Sequence, residues 1–380
     1  MNRRVFLKTG GSAALGLAVG GCASRIGPQA AATGSGPRRL VNLVPVDCSM
    51  DRIIRTNVGL RPYRPSGWVV KPERFDEKTV IHNFGHGEAG MSMSWGTGAL
   101  AADLAMAHTE RRAAVIGCGV VGLTAARQLQ RRGFDVTIYA MAVPPNTTSN
   151  MSSADFDPWI PRQDLVTPEW LSQFRRAERI AYDELQLLVG PRYGVSWIDG
   201  YRLLNSAPAG SELRRISPGP LPYDNLASVL FGPGEHPFGT AYAVRRPKLR
   251  MEPTTYLDAL GRDVITFGGR IVIRRFDALR DLMSLSESLI VNCTGLGAKA
   301  LFGDEQLQPN WGQLTVLVPQ PEVTYALGAM MPRSDGIVLG GGPTPITWSM
   351  SVNEEAQRLV VAQHAAIFRA MRAPLSFASE

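Results

Sequence analysis

The sequence predicts an α/β fold organised around a nucleotide-binding unit. The first observation is residues 113–140, AAVIGCGVVGLTAARQLQRRGFDVTIYA, which read as strand, glycine turn, helix and strand. Ala113 to Ile116 is a short apolar run. Val120 to Arg132 carries Val121, Leu123, Ala125, Ala126 and Leu129 at helical spacing, and Gly133 closes it before the β-branched FDVTIYA. The second observation is that Gly117, Gly119 and Gly122 complete GxGxxG at the turn. Gly117 allows the tight turn, Gly119 lets backbone approach a pyrophosphate, and Gly122 lets helix and strand pack closely, with the phosphates at the helix N-terminus. The third is a gap. The second strand should end on an acid that binds the adenosine ribose, but it ends Tyr139-Ala140-Met141. That argues against a simple nicotinamide dehydrogenase.

The chain of 380 residues, 44% hydrophobic and 19% charged, fits one large globular domain or two ordinary ones. Its charge of +7 is concentrated at the start: Arg3, Arg4, Lys8, Arg25, Arg38 and Arg39 all precede Asp47, the first acidic residue. The remainder is nearly neutral, so no nucleic-acid partner is predicted. Cys22, Cys48, Cys118 and Cys293 show neither metal-knuckle nor CxxC spacing, and no metal site is predicted. Cys118 and Cys293 read as small buried residues.

The stretch NRRVFLKTGGSAALGLAVGGCAS has a basic start, a moderate apolar run and small residues at its end, the layout of an export signal. Arg3-Arg4 followed by Val5-Phe6-Leu7-Lys8 resembles a twin-arginine signal, which implies export of a folded protein to a periplasmic or extracytoplasmic location. LAVGGC resembles a lipoprotein box, with Cys22 as the lipidated residue attaching the protein to a membrane; Gly20 occupies a slot that often holds a larger residue. Residues 23–40 read as a flexible tether.

Further stretches point to a family. They are VGLRPYRPSGWVV at 58–70, VIHNFGHGEAGMSMSWGTGALAADLA at 80–105, TTSNMSSADFDPW at 147–159, LIVNCTGLGA at 289–298 and MMPRSDGIVLGGG at 330–342. Together they resemble the D-amino-acid oxidase family of flavoproteins over roughly residues 50–370. GLRPxRP, HNxGHG and NCTGxGA are far more specific than GxGxxG. The resemblance implies a Rossmann-like FAD-binding domain beside a mixed antiparallel-sheet substrate domain. The FAD-binding parts would span about 75–165 and 265–300, and the substrate-domain parts about 41–74, 166–264 and 301–380. The order of blocks is unusual, because GLRPxRP and HNxGHG come last in the family and first here. The chain therefore reads as circularly permuted, with AHTERR (107–112) as the join.

The resemblance implies a role for each matching residue. Arg61 would pair bidentately with the substrate carboxylate, and Tyr325 would hydrogen-bond it. A second active-site tyrosine of the family falls on Ala329. Glu88 stands where the family has a glycine whose carbonyl meets the substrate amine. Asp155 and Asp157 fall in the loop beside the flavin ring. These three carboxylates read either as a site with more negative character than the family norm, favouring a cationic group, or as solvent-facing residues. Gly117, Cys118, Gly119, Val120, Val121 and Gly122 would take the pyrophosphate side of FAD. Thr148 and Ser149 follow the second strand, Ser153 and Ala154 lie near the ring, and Phe276 and Thr294 come from mid-chain. Gly87, Glu88, Ala89, Gly90, Met91 and Ser92 would wrap the ring, and His82 and His86 would be structural. The implied activity is oxidation of D-amino acids to 2-oxo acids and ammonia, with hydrogen peroxide formed by oxygen. Two alternatives stand beside it: an oxidase or dehydrogenase of another amine or imino acid using a different electron acceptor, and a flavin-binding protein without turnover. Oligomeric state is not legible.

Overall fold

The computed structural model describes residues 41–208 and 228–372. The expected export signal, the lipidation site at Cys22 and the tether at 23–40 lie outside the described residues.

The described strands fall into two sheets. The six-stranded sheet runs β2 (Val69–Phe75), β3 (Lys78–Phe84), β10 (Leu289–Asn292), β4 (Arg112–Ile116), β5 (Asp135–Ala140) and β9 (Arg270–Ile273). β2 and β3 form an antiparallel pair, and the other neighbours are parallel. β4, the helix α2 (Val120–Arg131) and β5 reproduce the predicted unit to within one residue at each end. β4 and β10 are buried on both faces, as parallel strands covered by helices must be.

The helix α1 (Gly90–Ala105) is apolar almost all round, and thirteen of its sixteen residues are buried, so it sits inside rather than on the molecule. It packs between α2 and α3 (Pro168–Leu187). α3 starts cleanly because Thr167 accepts a hydrogen bond from Trp170 N–H and Pro168 occupies the first turn. With α4 (Pro253–Thr266) these helices form one core: Trp95, Leu123, Phe174, Leu185, Tyr256 and Leu260 are all nearly inaccessible. The six-stranded half is therefore larger than its expected boundaries. It gains β2 from Val69, and it gains α3 and α4 from the stretch assigned by sequence to the other part.

The eight-stranded sheet runs β1 (Ile53–Tyr63), β11 (Gln308–Leu317), β14 (Gly336–Leu339), β13 (Met330–Arg333), β12 (Tyr325–Leu327), β6 (Val195–Leu204), β8 (Tyr242–Met251) and β7 (Val229–Phe231). All its pairings are antiparallel except β12 with β6. Its two faces carry different clusters. Leu317, Tyr325, Leu327, Ile337 and Leu339 pack with Val360, Val361 and Phe368 of α7 (Glu354–Arg369). Leu314, Val316, Ala326, Met331 and Val338 make the other face.

The loop after β5 ties the two halves together. Ala154 O accepts a bond from Met251 N–H at 2.9 Å, and Phe156 N–H donates to Leu249 O at 2.8 Å. Ala154 has φ +61°, a conformation that non-glycine residues rarely adopt and that such anchoring must hold in place. Among the described residues no helix is long and apolar enough to cross a membrane.

Candidate functional site

A cavity of about 800 Å³ is lined by residues of both sheets. That is in the upper range for ligand pockets, roughly 300–1,000 Å³. Gly117, Cys118, Gly119, Val120 and Val121 line it at the turn between β4 and α2. Gly117 has φ +111°, and a Cβ there would lie 2.5 Å from Cys293 O. A Cβ on Gly122 would lie 2.0 Å from Gly117 O. No side chain larger than hydrogen fits either place, so the turn delivers bare backbone to the cavity. Gly119 caps α2 without a side-chain bond, and the first turn holds no acidic residue. Val120 N–H already donates to Ser149 Oγ, and the N–H groups after it and the positive dipole end suit an anion.

Two neighbouring chain ends meet beyond that turn. β5 ends at Tyr139 to Met141, and β9 runs into Arg274, Arg275, Phe276 and Asp277; all line the cavity. Arg274 N–H donates to Ala140 O at 2.9 Å, which fixes their spacing. Met141 is 73% exposed and offers no polar atom for a ribose. Asp277, paired with Arg275 at 2.6 Å, is the carboxylate that stands at this end instead. Thr148, Ser149, Ser153, Ala154, Phe276 and Thr294 also line the cavity, as expected. Ser149 Oγ accepts from Val120 N–H at 3.0 Å, and Thr294 is held by Asn292 Oδ1 through its N–H and its hydroxyl.

The eight-stranded sheet supplies the charged part. Arg61 on β1 lies directly opposite Asn310 on β11. Its Nη1 donates to Asn310 Oδ1 and to Trp311 O, both at 3.3 Å, and stands 3.4 Å from Glu88 Oε1. A Cβ on Gly312 would lie 2.6 Å from the guanidinium carbon, so the flat group rests on bare backbone. Gly87, Glu88, Gly90, Met91 and Ser92 line the cavity beside it. Asp155 and Asp157 line it too. Asp155 pairs with Lys248 at 2.5 Å. Asp157 has its N–H on Ser92 Oγ. Protein surrounds much of its carboxyl although cavity solvent still reaches it, and burial, followed by the nearby Asp155, holds it above the usual carboxylate range.

The histidines are framework. His86 bonds Thr97 Oγ1 at 2.8 Å and stacks on Trp68, and burial drives its pKa down to about 3. His82 lies between Glu73 and Asn292 and is also pushed down by burial. Arg64 braces its own loop through Asp304 and Gly67 O. Burial raises the Cys118 thiol to about 12 and the Cys293 thiol further, so neither is a ready nucleophile.

Three expected site residues lie elsewhere. Tyr325 is turned to the α7 face of its sheet, where its hydroxyl donates to Val44 O at 2.8 Å. Along β12 alternate residues face opposite ways, and Ala326, not Tyr325, points to the face that carries Leu314 of the cavity wall. Ala89 is buried at the start of α1 with its N–H on His86 O, and Gly122 packs on Gly117; both support the lining without joining it. Reading by sequence missed Gly59, Asn310, Gly312 and Leu314. Period-two spacing along β1 and β11 was the available signal, since Gly59 pairs with Gly312 as Arg61 pairs with Asn310.

The family described as FAD dependent oxidoreductase matches residues 112–377. A D-amino-acid oxidase of Rubrobacter xylanophilus is 30% identical over 248 residues, covering 63% of this chain and 71% of that protein. A D-amino-acid oxidase of Streptomyces coelicolor is 29% identical over 264 residues, covering 67% and 76%. Among solved structures, a glycine oxidase of Bacillus cereus aligns with TM-score 0.49 and 15% identity over 69% of this chain and 79% of that one.

Proposed function

The chain belongs to the family of FAD-dependent oxidoreductases, FAD is its cofactor, and from that premise we propose that it deaminates D-amino acids oxidatively. The residues fit the cofactor: the turn that Gly117 and Gly122 keep open and the start of α2, free of acidic residues, suit its pyrophosphate. Gly117, Cys118, Gly119, Val120 and Val121 would hold it there, with Thr148, Ser149, Phe276 and Thr294 around the nucleotide. Ser153, Ala154, Gly87, Gly90, Met91 and Ser92 would frame the ring. FAD supplies the two-electron acceptor.

Arg61 is the observation that carries the substrate reading. It is a fixed cation on the cavity wall, and all its contacts run through Nη1, leaving Nη2 and Nε without a protein partner among the described residues. Those two nitrogens suit a carboxylate. Holding the acid by that end orients the α-carbon, and orientation is the main service the protein renders. The substrate loses a hydride from its α-carbon and a proton from its amine, and water hydrolyses the imine to a 2-oxo acid and ammonia. Oxygen takes up the electrons as hydrogen peroxide. The names of the two bacterial relatives support the D-amino-acid assignment. Peroxide release across a panel of D-amino acids tests it, and no release with any of them would sink it. Glu88 beside Arg61 favours a second reading, a dehydrogenase of another amine or imino acid. Bound flavin reduced by substrate without oxygen consumption would select it.

We also propose a permuted chain order. The family match starts at β4, yet β3 pairs with β10 inside the same sheet and β1 carries Arg61. A chain rebuilt with residues 41–107 moved behind residue 372 should fold and bind FAD; a rebuilt chain that does not fold would count against the idea. Export by the twin-arginine route with lipid attachment at Cys22 is proposed from sequence, and loss of export in an Arg3→Lys, Arg4→Lys variant is the test.

A further inference from the structure

Glu88 pairs with the same guanidinium that is offered to the substrate, and the pairing selects among substrates. We propose that Arg61 and Glu88 together form a receptor for a zwitterion, in which Glu88 takes the substrate's ammonium group while Arg61 takes its carboxylate. The proposal rests on the amino-acid oxidation reading and names the substrate class more closely: α-amino acids with a free amine, in preference to carboxylic or 2-hydroxy acids of the same shape.

Three features of the geometry carry this. First, Arg61 Nη1 is tethered by Asn310, Trp311 and Glu88, so a carboxylate can dock on Nη2 and Nε without displacing Glu88. Second, in an α-amino acid the amine and the carboxylate hang from one carbon. A carboxylate group 3.4 Å from Nη1 is therefore within reach of the amine of whatever acid docks on that arginine. Once the ammonium sheds one proton, the neutral amine still donates a hydrogen bond to Glu88. Third, charge balance disfavours an acid without an amine. Arg61 and Glu88 already cancel, Asp155 is cancelled by Lys248, and Asp157 faces the same space with Lys248 and Arg246 acting on it, so the charges around Arg61 are already balanced. A carboxylate arriving alone adds uncompensated negative charge, whereas a zwitterion does not.

The test uses two isosteric ligands that cannot be oxidised because neither has an α-hydrogen. These are 2-aminoisobutyrate, which carries the ammonium, and pivalate, which has a methyl group in its place. Each is titrated into FAD-loaded enzyme and followed by the visible flavin spectrum or by calorimetry. Wild type should bind 2-aminoisobutyrate roughly 10- to 100-fold more tightly than pivalate, the scale of a hydrogen bond to a charged group. Glu88→Gln should shrink that ratio to within about threefold and tighten pivalate; Glu88→Asp should keep part of the preference. Flavin content and melting temperature show that each variant is folded. An unchanged ratio in Glu88→Gln, or no preference in wild type, overturns the proposal. The readout needs no turnover. A wild type that prefers 2-aminoisobutyrate, yet whose flavin no amino acid reduces, would keep the zwitterion receptor and remove the oxidation reading.

Discussion

The two sides of the cavity are built by different means. The side contributed by β4, α2 and the turn between them is backbone: glycines whose hydrogens cannot be replaced, and a helix start with no acidic residue in its first turn. The side contributed by β1, the Gly87–Ser92 segment, the loop after β5 and β8 is balanced charge, in which Arg61 pairs with Glu88 and Asp155 with Lys248. The difference teaches where each property resides. A steric cradle of this kind tolerates no added side chain, and under the proposed function it is the part that would hold the cofactor. A set of paired charges can be retuned one residue at a time, which is how specificity changes while the fold stays the same.

The sharpest way to break that contrast is Gly122→Val. Its Cβ would lie 2.0 Å from a backbone oxygen, so α2 must move off the turn. We expect loss of bound flavin on gel filtration and a stability cost of about 3 kcal/mol or more. Retained flavin would show the cradle to be less rigid than described. The charged side has one apparent member that should act as packing. His86, folded at about pKa 3 against 6.5 in an unfolded chain, is neutral in the native state. The unfolded chain takes up its proton below pH 6.5, so stability is complete above that pH and falls as pH drops toward 3, by up to about 5 kcal/mol. Denaturant unfolding at pH 7 and pH 4 reads this, and His86→Gln should flatten the slope. The smallest effect is expected at Tyr325→Phe. Losing the bond to Val44 O should cost about 1 kcal/mol of stability and leave the substrate KM within roughly twofold. A large rise in KM would return Tyr325 to the site.

Sequence periodicity made the backbone side legible. GVVGLTAARQLQRRG shows its helical face locally, and the glycines sit at fixed offsets from it. Arg61 was legible because GLRPxRP fixes its neighbours. Tyr325 was not, because a three-residue strand has no local mark of which face it presents. The choice was made by Val44, Met371 and α7, far away in the chain. The same non-local packing assigned α3 and α4 to the six-stranded half. It also brought the segment after β9, with Asp277, into the cavity lining beside the segment after β5, through a strand pairing that no local pattern encodes.

The central claim is that a carboxylate held by Arg61 presents an amine for oxidation beside the cofactor. Anaerobic mixing of FAD-loaded enzyme with D-amino acids, followed at the visible flavin band, tests it directly. Wild type should bleach with at least one D-amino acid. Arg61→Met should keep its flavin and bleach roughly 100- to 1,000-fold more slowly at the same subsaturating concentration, as expected when a buried charge contact is lost. Flavin that no amino acid bleaches in wild type, or an Arg61→Met enzyme that bleaches as fast, would contradict the account.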